Sequence, residues 1–235
     1  ADAYALTGRG HGTDRAIARV FPDGALDVAW RPEAALPRHP NGLELEALDA
    51  DGATVATWRV YSTGGGAIRD DADLDAPPEA VYPVESLAEL IVRARDTGRA
   101  LWHEVGEREG EGIWAFLEEI RDAMDAAVDR GLEADGVLPG PLRLARKAGS
   151  YLARAHLSAR AVRDPGTLFA YALAVAEENA AGGLVVTAPT CGSAGVLPAV
   201  LRFLSREAET TPVHLLRALA TAGLIGNLVK RNASI

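Results

Sequence analysis

The chain has 235 residues, 48% of them hydrophobic and 24% charged, with a net charge of −9; this suits one large or two small globular domains and disfavours nucleic-acid or anionic-membrane partners. The single cysteine excludes an internal disulfide framework, and no unbroken apolar run reaches the roughly 18 residues of a membrane span. With no signal peptide, the expected location is the cytoplasm. The first residue is Ala1, "ADAYALTGRG" is already apolar, and "GLIGNLVKRNASI" stops on Ile235 without a polar tail. An interior piece of a longer protein is expected.

Residues 1–80 read as mixed α and β. "HGTDRAIARVF" predicts a short helix starting near Thr13 or Asp14. "LELEALDADGATVATWRVY" predicts a β-hairpin: Leu43, Leu45 and Ala47 alternate on one arm, Ala56, Trp58 and Val60 on the other, and "DADG" turns between them. The second arm runs into "STGGG", and "RDDADLDAPPEA" reads as an acidic, Pro-containing linker.

From residue 86 the period is helical. Ser86 and Glu89 form a capping box. Ile113, Phe116, Leu117, Ile120, Met124 and Val128 recur as a core-facing stripe, with Gly131 as the stop. "DGVLPGPLRLARKAGS" predicts a stiff turn feeding a basic helix. Asp164 and Pro165 are the expected N-cap and first residue of the next helix, which Gly182 and Gly183 end. After "VVTAPTCGSAG" come a helix to about residue 207 and a last one opened by Thr211 and Pro212.

Three stretches suit chemistry. In "STGGG", glycines allow close backbone approach, so consecutive N–H groups can face an anion beside the hydroxyls of Ser62 and Thr63; a plain strand exit is the other reading. "PTCGSAG" leads into a helix N-terminus, whose unpaired N–H groups suit a carboxylate. Cys191 there is either a thiol with lowered pKa or a small buried filler, and no local base accompanies it. "GRGHGTD" sets His11 between glycines, where an imidazole can approach a ligand and titrate near neutrality. His39 lies in a turn, and His103, His156 and His214 read as structural. Glu177, Glu178 and Asn179 either support the neighbouring loop or form a solvated face; Arg143, Arg146 and Lys147 either bind an anion or wet a helix.

Together and in this order, "ALTGRGHGTDRAI", "HPNG", "YSTGGGAI", "DRGLEADGVLPGPLRLARKA", "AEENAAGGLVVTAPTCGSAGVLPAVL" and "AGLIGNLVKRNASI" resemble the iron–sulfur L-serine dehydratases of bacteria, also called L-serine ammonia-lyases. The resemblance implies an α+β fold class: a mixed α/β domain at 1–80 (the β-type domain, incomplete at its N-terminus) and an all-helical catalytic domain at 81–235 (the α-type domain, incomplete at its C-terminus). It implies L-serine as substrate, a homodimer, and a [4Fe–4S] cluster whose open iron acts as Lewis acid on the substrate. It further implies that His11 and the Ser62–Gly66 loop reach the site, with substrate bound through Ser62, Thr63, Gly64 and Gly65, and that Thr190, Gly192 and Ser193 either bind the substrate carboxylate or line the cluster pocket; the glycine-flanked position of His11 makes it the expected catalytic residue, as the Cα base.

In that family three cluster cysteines lie downstream of the "NASI" stretch. The cluster ligands are therefore expected outside this chain, with no metal ligand within it, and Cys191 matches none of the three. Alone, the chain is expected to hold no intact cluster and to turn over no serine. Three other readings stay open, one of them a plain structural fragment. A PLP-dependent dehydratase would use Lys147 or Lys230, the only lysines, as its Schiff base. A non-catalytic amino-acid-binding or regulatory module would use "STGGG" and "PTCGSAG" as pockets.

Overall fold

The computed structural model describes residues 13–21, 25–34, 36–64, 67–75, 81–187, 191–208 and 210–232, with Cys191 represented by its backbone. These fall into two compact units that part at residues 79/80.

The first unit holds helix α1 (Thr13–Ala18) and strands β1 (Gly42–Leu48), β2 (Thr54–Gly64) and β3 (Ala67–Asp70). The strands form an antiparallel sheet in the order β1-β2-β3. Leu43 faces Val60, Leu45 faces Trp58 and Ala47 faces Ala56, the register that the alternation predicts. The turn is built locally: the Asp49 carboxylate accepts the N–H groups of Asp51 (3.0 Å) and Ala53 (2.8 Å), and Gly52 takes φ +81°. Tyr61 is fully buried, and its hydroxyl donates to Asp71 Oδ1 at 2.9 Å. The predicted acidic linker is corrected at its start. Ile68 pairs with Ser62 and Asp70 with Val60, so Ala67–Asp70 is a third strand. Strand pairing with β2 overrides the loop-like composition there. Ser62, Thr63 and Gly64 consequently belong to β2, with a register shift between Ser62 and Gly64.

Among the described residues the second unit is all-helical: α2 (Leu87–Thr97), α3 (Trp102–Glu109), α4 (Gly112–Glu133), α5 (Ala148–His156), α6 (Arg160–Ala180), α7 (Val196–Glu207) and α8 (Pro212–Asn232), with a 3-10 turn at Cys191–Ser193. The α+β class expected from the sequence is what the structure has. Helix α2 starts as predicted, with Ser86 Oγ accepting the Glu89 N–H at 3.2 Å. The Glu89 carboxylate reaches back to the Glu85 N–H at 3.2 Å. Ser86→Ala is expected to lower stability by about 1 kcal/mol in denaturant titration, the usual effect of losing an N-cap oxygen.

Two cores hold the helices. Leu90, Val105, Leu117, Met124, Leu219 and Leu224 fill the first, between α2, α3, α4 and α8. Ala127, Val128, Tyr171, Val175 and Ala199 fill the second, between α4, α6 and α7. By length and composition, α8 is apolar enough to cross a membrane, which corrects the sequence reading; Arg217 interrupts its apolar run and hid it from a search for unbroken ones. Here Leu215, Leu219, Leu224 and Leu228 of α8 are buried in the unit.

Several local expectations fail because packing from distant residues decides them. Phe116 is 54% exposed although it fits the apolar stripe of α4. Gly131 is no helix stop. It lies inside α4, buried, where an added Cβ would collide with the Ala174 backbone of α6. Helix α6 begins at Arg160 rather than Asp164, and Pro165 sits inside it. That proline removes only the donor that would have met the Ala161 carbonyl. Asp164 instead pairs with Arg160 and Arg163, each at 3.2 Å. The expected stiff turn is present, closed by Leu138 N–H to Leu144 O (2.8 Å) and Arg146 N–H to Gly136 O (2.9 Å), but it extends through Arg143, Arg146 and Lys147, and the helix it feeds starts only at Ala148.

Candidate active-site cleft

The end of α6 organises the second unit's candidate site. Gly182, at φ +76°, turns the chain out of the helix, and the Gly183 N–H returns to the Glu178 carbonyl at 2.9 Å. The chain then passes through the 3-10 turn at Cys191–Ser193 into α7. Gly195, the N-cap of α7, lies so close to α6 that a Cβ would strike the Ala172 carbonyl. Only glycine lets the first turn of α7 come this near.

An open cleft of roughly 460 Å³ forms there. Phe169, Ala172, Leu173 and Ala176 of α6 make its apolar wall; Lys147 and Tyr151 stand on one side, and Gly192, Gly195 and Val196 on the other. Lys147 brings a cation, and the first turn of α7 brings backbone N–H groups with partial positive charge. Gly192 has open space where a side chain would be, so its backbone is approachable. This is a setting for a small molecule with a carboxylate.

Behind the cleft lie two adjacent carboxylates, Glu177 (3% exposed) and Glu178 (7%). Consecutive helical residues point about 100° apart, so their roles diverge. Glu178 takes Arg130 Nε on Oε2 at 3.1 Å and Arg146 Nη1 on Oε1 at 3.3 Å. Arg130 also donates to the Leu184 carbonyl at 2.6 Å, tying α4 to the segment that leaves α6. Glu177 Oε1 accepts the backbone N–H of Lys147 at 2.7 Å, the residue that caps α5. The carboxylates clamp the C-terminal end of the 136–147 turn, at Arg146 and Lys147, where Lys147 lines the cleft.

Of the sequence-predicted residues, Gly192 lines the cleft and Ser193 sits exposed in the adjoining 3-10 turn. Ser62, Thr63 and Gly64 lie in β2 of the first unit. His11, Gly65 and Thr190 lie outside the described residues. Arg146 is neither a wetted face nor a free anion site, because Glu178 occupies its guanidinium; Arg143 is exposed in the turn, at φ +46°. Glu177 and Glu178 are no solvated face. Sequence reasoning missed Tyr151 and Phe169. The i, i+3, i+4, i+7 spacing of Phe169, Ala172, Leu173 and Ala176 was the available signal. Among the described residues, no group of three or more His, Cys, Asp or Glu side chains could hold a metal ion.

The family model for the serine dehydratase alpha chain matches residues 53–235, and the one for the beta chain matches residues 19–73. The chain belongs to the serine dehydratase family. All the cleft residues fall within the alpha-chain match, and strands β1, β2 and β3 within the beta-chain match. Curated relatives agree. An L-serine dehydratase of Streptomyces coelicolor is 40% identical over 94% of this chain and 51% of its own length. L-serine dehydratase 1 of Escherichia coli K12 is 38% identical over 85% of this chain and 47% of its own. An L-serine dehydratase of Helicobacter pylori is 32% identical over 85% and 48%. This serine dehydratase family chain spans about half the length of the curated relatives it matches.

Proposed function

We propose that the protein to which this chain belongs deaminates L-serine to pyruvate and ammonia. The observation that carries this is the cleft at the start of α7, a site for a small carboxylate inside the stretch matched by the serine dehydratase alpha chain. The serine carboxylate meets the backbone of Gly192 and the first turn of α7, with the hydroxyls of Thr190 and Ser193 nearby in sequence. Ser62, Thr63, Gly64 and Gly65 form the second substrate-binding stretch of the proposal, and His11 is its Cα base, supported by its glycine-flanked position. His11 takes the Cα proton, the freed electron pair forms the Cα–Cβ double bond, and the β-hydroxyl leaves as hydroxide. The resulting aminoacrylate tautomerises to an imine, which water hydrolyses to pyruvate and ammonia.

A [4Fe–4S] cluster belongs to the same proposal, with its ligands outside this chain. Three cysteine ligands are needed and the chain has one cysteine, so its own residues do not fit that group.

The test is pyruvate formation from L-serine by the full-length protein, purified without air. Pyruvate and ammonia in equal amounts are expected, and activity should survive borohydride. Absence of both products from cluster-loaded protein overturns the reading. Loss after borohydride would instead indicate a Schiff base, for which Lys147 in the cleft is the first residue to examine. His11→Ala is expected to lower kcat by about a hundredfold, the scale of a lost general base; unchanged turnover removes His11 from the role.

A further inference from the structure

Two side chains in the cleft have as yet no role. Among the residues that line it, only Lys147 and Tyr151 carry a polar side-chain group. The lining thus holds a cation and a hydroxyl but no carboxylate. The two stand one turn apart at the start of α5, with Lys147 as N-cap and Tyr151 as fourth residue. Residues four apart in a helix share a side.

The main chain under Lys147 is fixed. Its N–H is held by Glu177 at 2.7 Å, and its carbonyl accepts the Tyr151 N–H and the Ser150 hydroxyl, each at 2.9 Å. The side chains are not engaged. Neither the Lys147 ammonium nor the Tyr151 hydroxyl has a hydrogen-bond or ion-pair partner among the described residues. Arg154 lies over the Tyr151 ring, 4.8 Å from its centre, a contact with the ring face that leaves the hydroxyl available. The adjoining cation differs: Arg146 is committed to Glu178. Residue type follows the same division. Apart from Lys147 and Lys230, the Lys and Arg positions of this chain are all arginine. A guanidinium fork suits a fixed pair such as Arg146 with Glu178, whereas an ammonium on a flexible stem can reach a small ligand as a point charge.

We propose that Lys147 Nζ and the Tyr151 hydroxyl bind the carboxylate of the substrate amino acid, Lys147 as counter-charge and Tyr151 as hydrogen-bond donor. The assignment rests on the L-serine reading above and adds two side-chain donors to the backbone groups named there. It makes the pair specificity-determining: the free acid is admitted, and an uncharged derivative of it is not.

The measurements, on the full-length enzyme, are the KM for L-serine and the inhibition constant of L-serinamide, in which a neutral amide replaces the carboxylate. Lys147→Met keeps the length of the side chain and removes its charge. It should raise the KM about tenfold, as for a lost charge-assisted hydrogen bond, and move the serinamide constant by less than about twofold. The preference for serine over its amide then shrinks about tenfold. Tyr151→Phe should shrink it severalfold, and Lys147→Arg should still turn over, with a KM between those of Lys147→Met and the unsubstituted enzyme. Equal weakening of both ligands, as a structural role would give, overturns the assignment, and so does an unchanged preference. Loss of turnover in a folded Lys147→Arg also overturns it, since that would mark a need for the amine itself, as in a Schiff base. Should the lysine variants fail to fold, Tyr151→Phe decides, and an unchanged preference there removes the pair. If the unsubstituted enzyme forms no pyruvate from L-serine, the functional reading falls and this assignment with it; pyruvate formation with an unchanged preference in Lys147→Met removes the assignment alone.

Discussion

Glu178→Leu is expected to destabilise the second unit by about 3–5 kcal/mol, the scale of breaking a buried ion pair from one side. The partners respond differently. The Arg130 side chain is 43% exposed and keeps its bond to the Leu184 carbonyl, so it can turn toward water. The Arg146 side chain is only 11% exposed and loses its sole ion pair among the described residues. An uncompensated guanidinium left in that setting is the main cost, and it is separable from the worth of the pair itself. Removing both charges in Arg146→Met/Glu178→Leu should therefore recover most of the loss, since two apolar side chains need no partner. Glu178→Gln should fall between, because its amide oxygen still accepts one arginine N–H. Urea unfolding of the full chain and its variants checks the order. A double variant no more stable than Glu178→Leu would show that the carboxylate acts otherwise than by neutralising Arg146.

Gly131→Ala is expected to destabilise by roughly 3 kcal/mol, at the upper end of the usual range for overpacking. Helix propensity argues for the opposite sign, since alanine is favoured over glycine by about 1 kcal/mol inside a helix. Space decides. The new Cβ would lie 2.7 Å from Ala174 Cα and closer still to that residue's carbonyl. These are backbone atoms of α6, which cannot rotate aside as a flexible side chain would. Helices α4 and α6 must part, and Val128 and Val175, fully buried beside the contact, lose their packing. Gly223→Ala on α8 is the control. Nothing lies within 4 Å of its Cβ position, so propensity alone should apply, and a gain of about 0.5–1 kcal/mol is expected. Denaturation midpoints that move in opposite directions for these two Gly→Ala changes confirm the argument. A neutral Gly131→Ala would mean that the α4–α6 contact is soft.

How much was legible beforehand follows from how locally each feature is determined. The Ser86 cap involves residues three apart, the Asp49–Gly52 turn a carboxylate and its own following N–H groups, and the end of α6 two consecutive glycines. Such contacts close within a few residues, and the sequence shows them. The alternation of Leu43, Leu45 and Ala47 against Ala56, Trp58 and Val60 likewise carried the hairpin register, because a slip by one residue would exchange the two faces. Family membership was also legible, from motifs spread over nearly the whole chain, and the family matches now show it.

The candidate site was only half visible. The loop around Gly192 stood out by composition, and it lines the cleft. The acidic pair was noticed, but its burial was not, because that depends on Arg130 and Arg146, 48 and 32 residues away from Glu178. Gly131 reads as a helix stop until Ala174 is seen against it, and Phe116 as core until its side of α4 is seen to face outward. Pro165 reads as a helix start because its own chemistry permits one, while the chain before it was free to coil as well.

The sequence by itself determined the helical character of the second unit, the hairpin with its register, the α+β class and the family, because each is written in neighbouring residues or in motifs of fixed spacing. Tertiary structure alone decided which glycines are contact points, which carboxylate is neutralised and which keeps an oxygen without a donor among the described residues. Burial and pairing are properties of residues far apart in the chain, brought together only when α4, α5, α6 and α7 pack.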